Sequence, residues 1–102
     1  MKARWTPIAG DHLQAAFDYL ARDRPHAATA SVARVLHAVE TMERHPRMGR
    51  AGRVPGTREL VVTGTPLIVA YRVQPTAIEI LAVLHGARRW PDRLQDGTGR
   101  RN

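Results

Sequence analysis

Hydrophobic residues recur at spacings of three and four along the first part of the chain, which predicts a helix. The apolar face of this first helix comprises Leu13, Ala16, Phe17 and Leu20. Thr6 and Pro7 precede the pattern: threonine can accept a hydrogen bond from an unpaired amide at a helix N-terminus, and proline fits the first helical position. Residues 2–5 alternate polar and apolar side chains and predict a short strand before this helix.

A second helix is predicted from Pro25, because proline interrupts the first pattern and starts a new helical turn. It ends before Pro46. Its apolar stripe comprises Ala28, Val32, Val35, Leu36, Val39 and Met42. Since the connection between the two helices is short, we expect them to form an antiparallel hairpin.

The second half of the chain is rich in valine, isoleucine and leucine and predicts three strands, at residues 58–62, 67–73 and 77–84. Short segments with proline separate the strands and favour tight turns. Residues 67–71 are apolar without alternation, as in a central strand that is covered on both faces. In the last strand, the residues expected to share one face are Ile78, Ile80, Ala82 and Leu84.

These patterns predict an α+β fold, in which a short N-terminal strand is followed by an antiparallel two-helix hairpin that packs on an antiparallel β-sheet completed by a three-stranded C-terminal meander. Residues 1–91 are expected to form a single domain. Residues 92–102 carry no periodic apolar pattern and are expected to form a flexible polar tail.

The charge of the chain is strongly positive: 16 Lys+Arg against 9 Asp+Glu give +7, and Lys2 is its only lysine. Arginine suits two-point recognition of phosphate or carboxylate, so nucleic acid or an acidic protein would be a fitting partner, whereas improved solubility is the alternative explanation. The chain has no cysteine. It also has no apolar run that could cross a membrane, so we expect a cytoplasmic protein.

Residues 46–56, called the basic loop below, combine prolines and glycines with three arginines, Arg47, Arg50 and Arg53. This composition favours an irregular connection. No acidic residue occurs between Glu43 and Glu59. The loop could therefore contact DNA, ribosomal RNA or an acidic protein, or it could be a solvated surface loop.

Five segments of the chain, in this order, resemble the RelE/ParE family of toxins from type II toxin–antitoxin systems, and the third and the last resemble the ParE branch. The segments are residues 4–7 (RWTP), 45–50 (HPRMGR), 54–60 (VPGTREL), 69–73 (VAYRV) and 83–91 (VLHGARRWP). The resemblance implies an antitoxin partner that wraps the toxin and forms a hetero-oligomer with it. An acidic antitoxin segment that folds on binding would match the positive charge.

Within this family, two activities are known, and the resemblance leaves both open. RelE-like members cut messenger RNA on the ribosome with basic residues on the sheet and a tyrosine or histidine near the C-terminus. In this chain such a set would comprise Arg88 and Arg58, which would bind phosphate, and His85, which would exchange protons. The third-strand arginine is replaced by Leu67 or Ile68, however, and the C-terminal aromatic position falls near Leu94.

ParE-like members instead inhibit DNA gyrase by binding, which needs no catalytic residues, and this activity is the one we expect. The target-binding residues would be Arg88, Arg89 and Trp90, because a large aromatic side chain beside two guanidinium groups is typical of an interface anchor. Trp90 could instead simply cover the core. A role in growth inhibition and plasmid stabilisation would follow from this ParE-like activity.

Other classes of function fit the sequence less well. The five histidines form no pair four residues apart on a helix, so neither a metal site nor a cofactor is expected. A DNA-binding helix-turn-helix module would lack a hydrophobic meander as its main layer. A non-toxic relative of the toxins is a further alternative.

Overall fold

The structure is a computed structural model that describes residues 1–86. Its elements are β1 (Lys2–Trp5), α1 (Pro7–Ala21), α2 (Pro25–Arg44), β2 (Arg50–Ala51), β3 (Arg58–Val61), β4 (Leu67–Val73) and β5 (Ala77–His85). The α+β class, the two helices and the C-terminal meander are therefore confirmed. The expected tail at residues 92–102 lies outside the described residues, and the boundary at residue 91 stays a prediction.

Thr6 and Pro7 start α1 as the sequence predicts. The Thr6 hydroxyl accepts a hydrogen bond from the Ala9 amide at 3.2 Å and donates one to the Ile80 carbonyl at 2.8 Å. The Thr6 amide donates to the same carbonyl at 3.1 Å. The helix cap is thus also a tie to β5, which fixes where α1 lies on the sheet.

The second helix buries one narrow face against the sheet. Its buried apolar residues are Ala28, Val35, Val39 and Met42. The expectation that Leu36 belongs to this face is wrong, since its side chain is 47% exposed. Successive residues of a helix are about 100° apart, so a face centred on Val35 and Val39 turns Leu36 away from the sheet.

The sheet has five strands in the order β1-β5-β4-β3-β2. The expectation of a wholly antiparallel sheet is wrong in one respect. The strand β1 pairs with β5 in parallel, with Lys2 opposite Ala77, so the sheet is mixed. A parallel pair needs a long crossover, which the helices and the meander supply here. The basic loop is also less irregular than expected, because Arg50 and Ala51 pair with Glu59 and Arg58 as a short edge strand.

A β-bulge at Leu81 changes the expected face of β5. Ala70 of β4 lies opposite Ala82, whereas the next residue, Tyr71, lies opposite Ile80, so that Leu81 is an extra residue. Ile78 and Ile80 consequently pack into the cluster under the helices, while Ala82 and Leu84 belong to a second cluster. The expectation that all four share one face is wrong, because a bulge reverses the alternation beyond it.

The core lies on both faces of β4, as a central strand requires. Residues 67–71 are all buried, which confirms the sequence-based expectation. One cluster combines helix and strand residues, and the other contains strand residues only. Within residues 1–86, neither helix is long and apolar enough to span a membrane.

Candidate functional site

The basic loop is anchored to the sheet by Tyr71, whose side chain is fully buried. Its hydroxyl accepts a hydrogen bond from the Gly49 amide at 2.8 Å and donates one to the Pro46 carbonyl at 2.8 Å. Burial raises the pKa of the Tyr71 phenol, while the Gly49 hydrogen bond and the charge of Arg58 oppose that rise. Tyr71 is therefore a neutral structural group that holds the start of the loop.

Gly49 makes this close approach possible. A Cβ atom at this position would lie 2.7 Å from the Tyr71 hydroxyl oxygen and 3.0 Å from the Glu59 carbonyl oxygen. Both distances are shorter than an ordinary van der Waals contact. Any larger residue at position 49 would therefore push the loop away from the sheet.

Arg58, one of the candidate phosphate-binding residues, faces the same loop. Its Nη1 atom donates hydrogen bonds to the carbonyl oxygens of Gly49 at 2.7 Å and Arg47 at 3.1 Å. The hydrogen-bond donors of this nitrogen are thus already used by neutral carbonyl groups. The guanidinium is half-buried, so Arg58 ties the loop to β3 and presents only part of its donor set outward.

Glu59 forms ion pairs with two arginines of the basic loop. This carboxylate is 2% exposed and receives Arg50 Nη2 at 3.3 Å and Arg53 Nε at 3.3 Å. The Arg53 backbone amide also donates to Glu59, at 3.0 Å. A buried carboxylate needs such partners. The loop is therefore held by charge as well as by Tyr71, and its field is weaker than its arginine count suggests.

Arg47 differs from the other two loop arginines. Its side chain is exposed, and within residues 1–86 its guanidinium forms no ion pair or hydrogen bond. Of the three predicted loop residues, Arg47 is the one that forms no ion pair within residues 1–86.

His85, the candidate proton-transfer residue, is not near Arg58. His85 lies opposite Leu67, whereas Arg58 lies opposite Tyr71, and these two positions are about 13 Å apart along β4. The His85 ring instead packs edge-on against Tyr19, with ring centroids 6.1 Å apart. The structure therefore does not bring His85 and Arg58 together. Arg88, Arg89 and Trp90 lie outside the described residues.

Sequence reasoning missed the aromatic neighbour of His85. Tyr19 is on α1, 61% exposed, with the Arg22 guanidinium carbon 5.9 Å from its ring centroid. The one available signal was that Tyr19 lies off the apolar face of α1. Its proximity to β5 depends on how α1 packs, which the sequence pattern does not specify.

A second buried carboxylate was also missed. Glu79 of β5 is 3% exposed, and its side chain receives hydrogen bonds from Arg72, Gln74 and Arg4. Burial by itself would raise the pKa of Glu79, but the hydrogen bonds from Arg72 and Gln74 and the charges of Arg72 and Arg4 outweigh it and lower the pKa. This cluster joins β1, β4 and β5 and is a structural ion-pair network.

Residues 1–86 form an α+β domain whose basic loop is held on the sheet by Tyr71 and Glu59. The sequence matches the family described as "ParE toxin of type II toxin-antitoxin system, parDE" over residues 3–90. The chain belongs to the ParE toxin family.

Two further comparisons agree with this assignment. "Putative toxin Y4kP" of Sinorhizobium fredii is 40% identical over 93 residues, which cover 91% of this chain and 96% of that protein. Among solved structures, a chain of "Chromosomal ParDE TA system from P. aeruginosa" superposes with a TM-score of 0.76 at 27% identity, over 84% of this chain and 96% of that chain. The ParE fold thus extends over most of the sequence.

The ParE-family chain offers little metal-binding chemistry in its described part. Residues 1–86 contain no group of three histidine, aspartate or glutamate side chains that could hold a metal ion. Within this part of the chain, its chemistry is that of exposed and half-buried arginines on a rigid scaffold.

Proposed function

We propose that this ParE-family toxin inhibits DNA gyrase by binding to it and is neutralised by a cognate antitoxin in the cytoplasm. The family match carries this proposal. Arg88, Arg89 and Trp90 are the proposed target-binding residues, because they combine two guanidinium groups with a large aromatic side chain. Growth inhibition, and plasmid stabilisation where the gene pair lies on a plasmid, would follow from this activity.

The geometry of Arg58 favours binding over ribosome-dependent RNA cleavage. A nuclease needs a proton acceptor, a proton donor and cations around one phosphate. Arg58 donates to the Gly49 and Arg47 carbonyls, and His85 is placed four residues away along β4. The Tyr71 hydroxyl is buried and already bonded on both sides. These three groups therefore support a scaffold better than a catalytic site.

The P. aeruginosa structure, described as a ParDE system, supports the antitoxin partner. A net charge of +7 is complementary to an acidic antitoxin, and charge-assisted hydrogen bonds to arginine are among the stronger polar contacts in proteins. We therefore expect a hetero-oligomer of toxin and antitoxin.

The activity is tested with the purified chain in two parallel assays: supercoiling by DNA gyrase and cleavage of a translated message on ribosomes. The proposal expects inhibited supercoiling and an intact message, and restored supercoiling when the antitoxin is added. Replacing Arg88, Arg89 and Trp90 together with alanine should abolish the inhibition, while Ala15→Glu on the exposed side of α1 should not change it.

Two results would contradict the proposal. Message cleavage at the ribosomal A site that is lost in Arg88→Ala would establish the nuclease alternative. Normal growth on induction, with neither supercoiling nor the message affected, would instead indicate a non-toxic relative or a DNA-binding module.

A further inference from the structure

Two buried carboxylates lie on the outer face of the sheet, which is the face opposite the helices. Glu59 lies opposite Ala70 of β4. Glu79 lies opposite Arg72, two residues further along the same strand. Ala70 belongs to the strand-only cluster, whereas Tyr71 packs into the cluster under the helices. Because side chains alternate along a strand and opposed residues share a face, Glu59 and Glu79 both lie on the outer face.

Each of these carboxylates holds two arginines. The side chains of Arg4 and Arg50 are 64% and 60% exposed, and they come from the two edge strands of the sheet, β1 and β2. Within residues 1–86, each contacts its carboxylate only through Nη2, at 3.3 Å, so most of its five N–H donors remain open to a ligand. The ion pairs are Arg50 and Arg53 with Glu59, and Arg4 and Arg72 with Glu79.

The charges of residues 1–86 are divided between the two layers of the molecule. Residues 7–44, which include both helices, contain five carboxylates and four arginines. The strands and their loops contain seven basic side chains and two carboxylates, Glu59 and Glu79. Lys2 is two residues before Arg4 in β1 and therefore lies on the outer face as well. An anionic ligand would be attracted to the sheet layer and not to the helices.

The positions of the aromatic residues favour a double-stranded ligand. Trp5 and Tyr71 pack toward the helices, and Phe17 and Tyr19 are on α1, so the described part of the outer face has no aromatic side chain. Single-stranded nucleic acids are bound by stacking of bases on aromatic side chains, and protein interfaces are commonly anchored by them. Contacts to a phosphate backbone require only positive charge and N–H donors.

The spacing of the two arginine pairs fits a duplex. The Cα atoms of Glu59 and Glu79 are separated by two strand spacings of about 4.8 Å and two residues of about 3.4 Å, which places them about 12 Å apart. Double-stranded DNA presents about seven phosphate charges over this length. The two pairs can therefore contact different phosphates of one duplex.

We propose that the outer face binds the phosphate backbone of double-stranded DNA, with Arg4 and Arg50 donating hydrogen bonds to phosphates at opposite edges of the sheet. Because a buried carboxylate already holds each of these side chains, binding costs less side-chain entropy than it would for unattached arginines. Contacts to the backbone carry no direct sequence information, so one duplex should bind as well as another. The inference goes beyond the proposed function, which requires contact with gyrase only.

The proposal is tested by fluorescence anisotropy of the full chain with a labelled DNA duplex of about 20 base pairs, at salt concentrations from about 50 to 200 mM. The double variant Arg4→Gln/Arg50→Gln should weaken binding about tenfold or more and lower the slope of log affinity against log salt by about 2. Its fold should stay intact, because exposed ion pairs contribute little to stability, and a thermal melt checks this.

The matched control is Arg22→Gln/Arg24→Gln, which removes the same two charges at the connection between the helices, where both side chains are exposed. Binding by this variant should stay within about twofold of the unaltered chain, since the residues are not on the outer face. Replacing Arg4 and Arg50 with lysine keeps both charges, so the salt slope should also be kept.

Three results would overturn the proposal: no binding of DNA by the unaltered chain at about 50 mM salt, equal weakening by the two glutamine double variants, or much tighter binding of an RNA duplex of the same length. Equal weakening would show that DNA responds to net charge alone. Inhibition of gyrase is measured separately. If the chain inhibits supercoiling but does not bind DNA, the outer-face assignment fails and the proposed function stands; DNA binding as predicted without inhibition gives the reverse.

Discussion

The contact between Tyr71 and the basic loop yields the most quantitative prediction, for the variant Tyr71→Phe. This change removes only the hydroxyl, which accepts from the Gly49 amide and donates to the Pro46 carbonyl. Gly49 is buried and Pro46 is half-buried, so both backbone groups lose a partner where water has limited access. An unsatisfied buried group costs about 1–3 kcal/mol, and we expect a total loss of about 2 kcal/mol in the free energy of unfolding.

Urea denaturation followed by circular dichroism measures this loss, and a thermal melt checks it. For a chain of 102 residues, the unfolding entropy is about 0.2 kcal/mol/K, so the midpoint should fall by about 10 °C. Hydrogen exchange at the Gly49 amide should accelerate more than exchange in β4 itself, because the loop loses its anchor while the strand keeps its ladder.

Tyr19→Phe is the matched control. The Tyr19 side chain is 61% exposed and its hydroxyl forms no hydrogen bond within residues 1–86, so this variant should change stability by less than about 0.5 kcal/mol. If Tyr71→Phe were as stable as Tyr19→Phe, the Tyr71 hydroxyl would not anchor the basic loop to the sheet.

Three further predictions concern other contacts. Gly49→Ala should destabilise the fold by about 1–3 kcal/mol in urea denaturation, because the added methyl overlaps the Tyr71 hydroxyl; equal stability would refute the close approach. The His12 imidazole Nδ1 accepts from the Val83 amide at 3.2 Å, and burial lowers its pKa despite the charge of the neighbouring aspartate. The stabilisation that the neutral imidazole provides is therefore present above the ordinary histidine pKa of about 6.5 and is lost as the pH falls further, so His12→Gln should flatten that part of the profile of unfolding free energy against pH. The pKa of Glu79 is lowered, so the stabilisation that its carboxylate provides is present above the ordinary carboxyl pKa and is lost on further acidification. Glu79→Gln should therefore flatten the acidic part of the profile of unfolding free energy against pH. An unchanged slope there would contradict the ion-pair network.

Local signals in the sequence predicted most of the element boundaries. Thr6 and Pro7 start α1, and the apolar run at Leu67–Val73 is β4 with no change of bounds. These signals succeed because capping and proline geometry depend on neighbouring residues alone, and because a strand buried on both faces is marked by an unbroken apolar run. The hydrophobic pattern is sufficient where a single local rule decides the structure.

Features that depend on distant residues could not be predicted in the same way. The bulge at Leu81 is set by how β5 pairs with β4, and nothing in the alternation of residues 77–84 marks the extra residue. The parallel pairing of β1 likewise depends on the path of the whole chain. The paired residues Lys2 and Ala77, for example, lie 75 positions apart (77 − 2).

The basic loop illustrates the same limit for function. Its arginines formed a cluster of one sign along the sequence, yet Glu59 receives Arg50 and Arg53 once β2 and β3 pair. Charge counted along the chain therefore overestimates charge in space. Arg47 alone of these three forms no ion pair within residues 1–86, and this distinction requires the register of the sheet.

Trapping of the covalent gyrase–DNA intermediate tests whether this ParE-family chain acts on gyrase by binding, as proposed. Purified gyrase and supercoiled plasmid are incubated with increasing amounts of the chain, followed by detergent and protease, and linear DNA is quantified. If the chain acts on gyrase by binding, linear DNA should accumulate with dose and equimolar antitoxin should suppress it. No linear DNA and unchanged supercoiling at saturating toxin, with cleavage of a translated message by the same preparation, would contradict it.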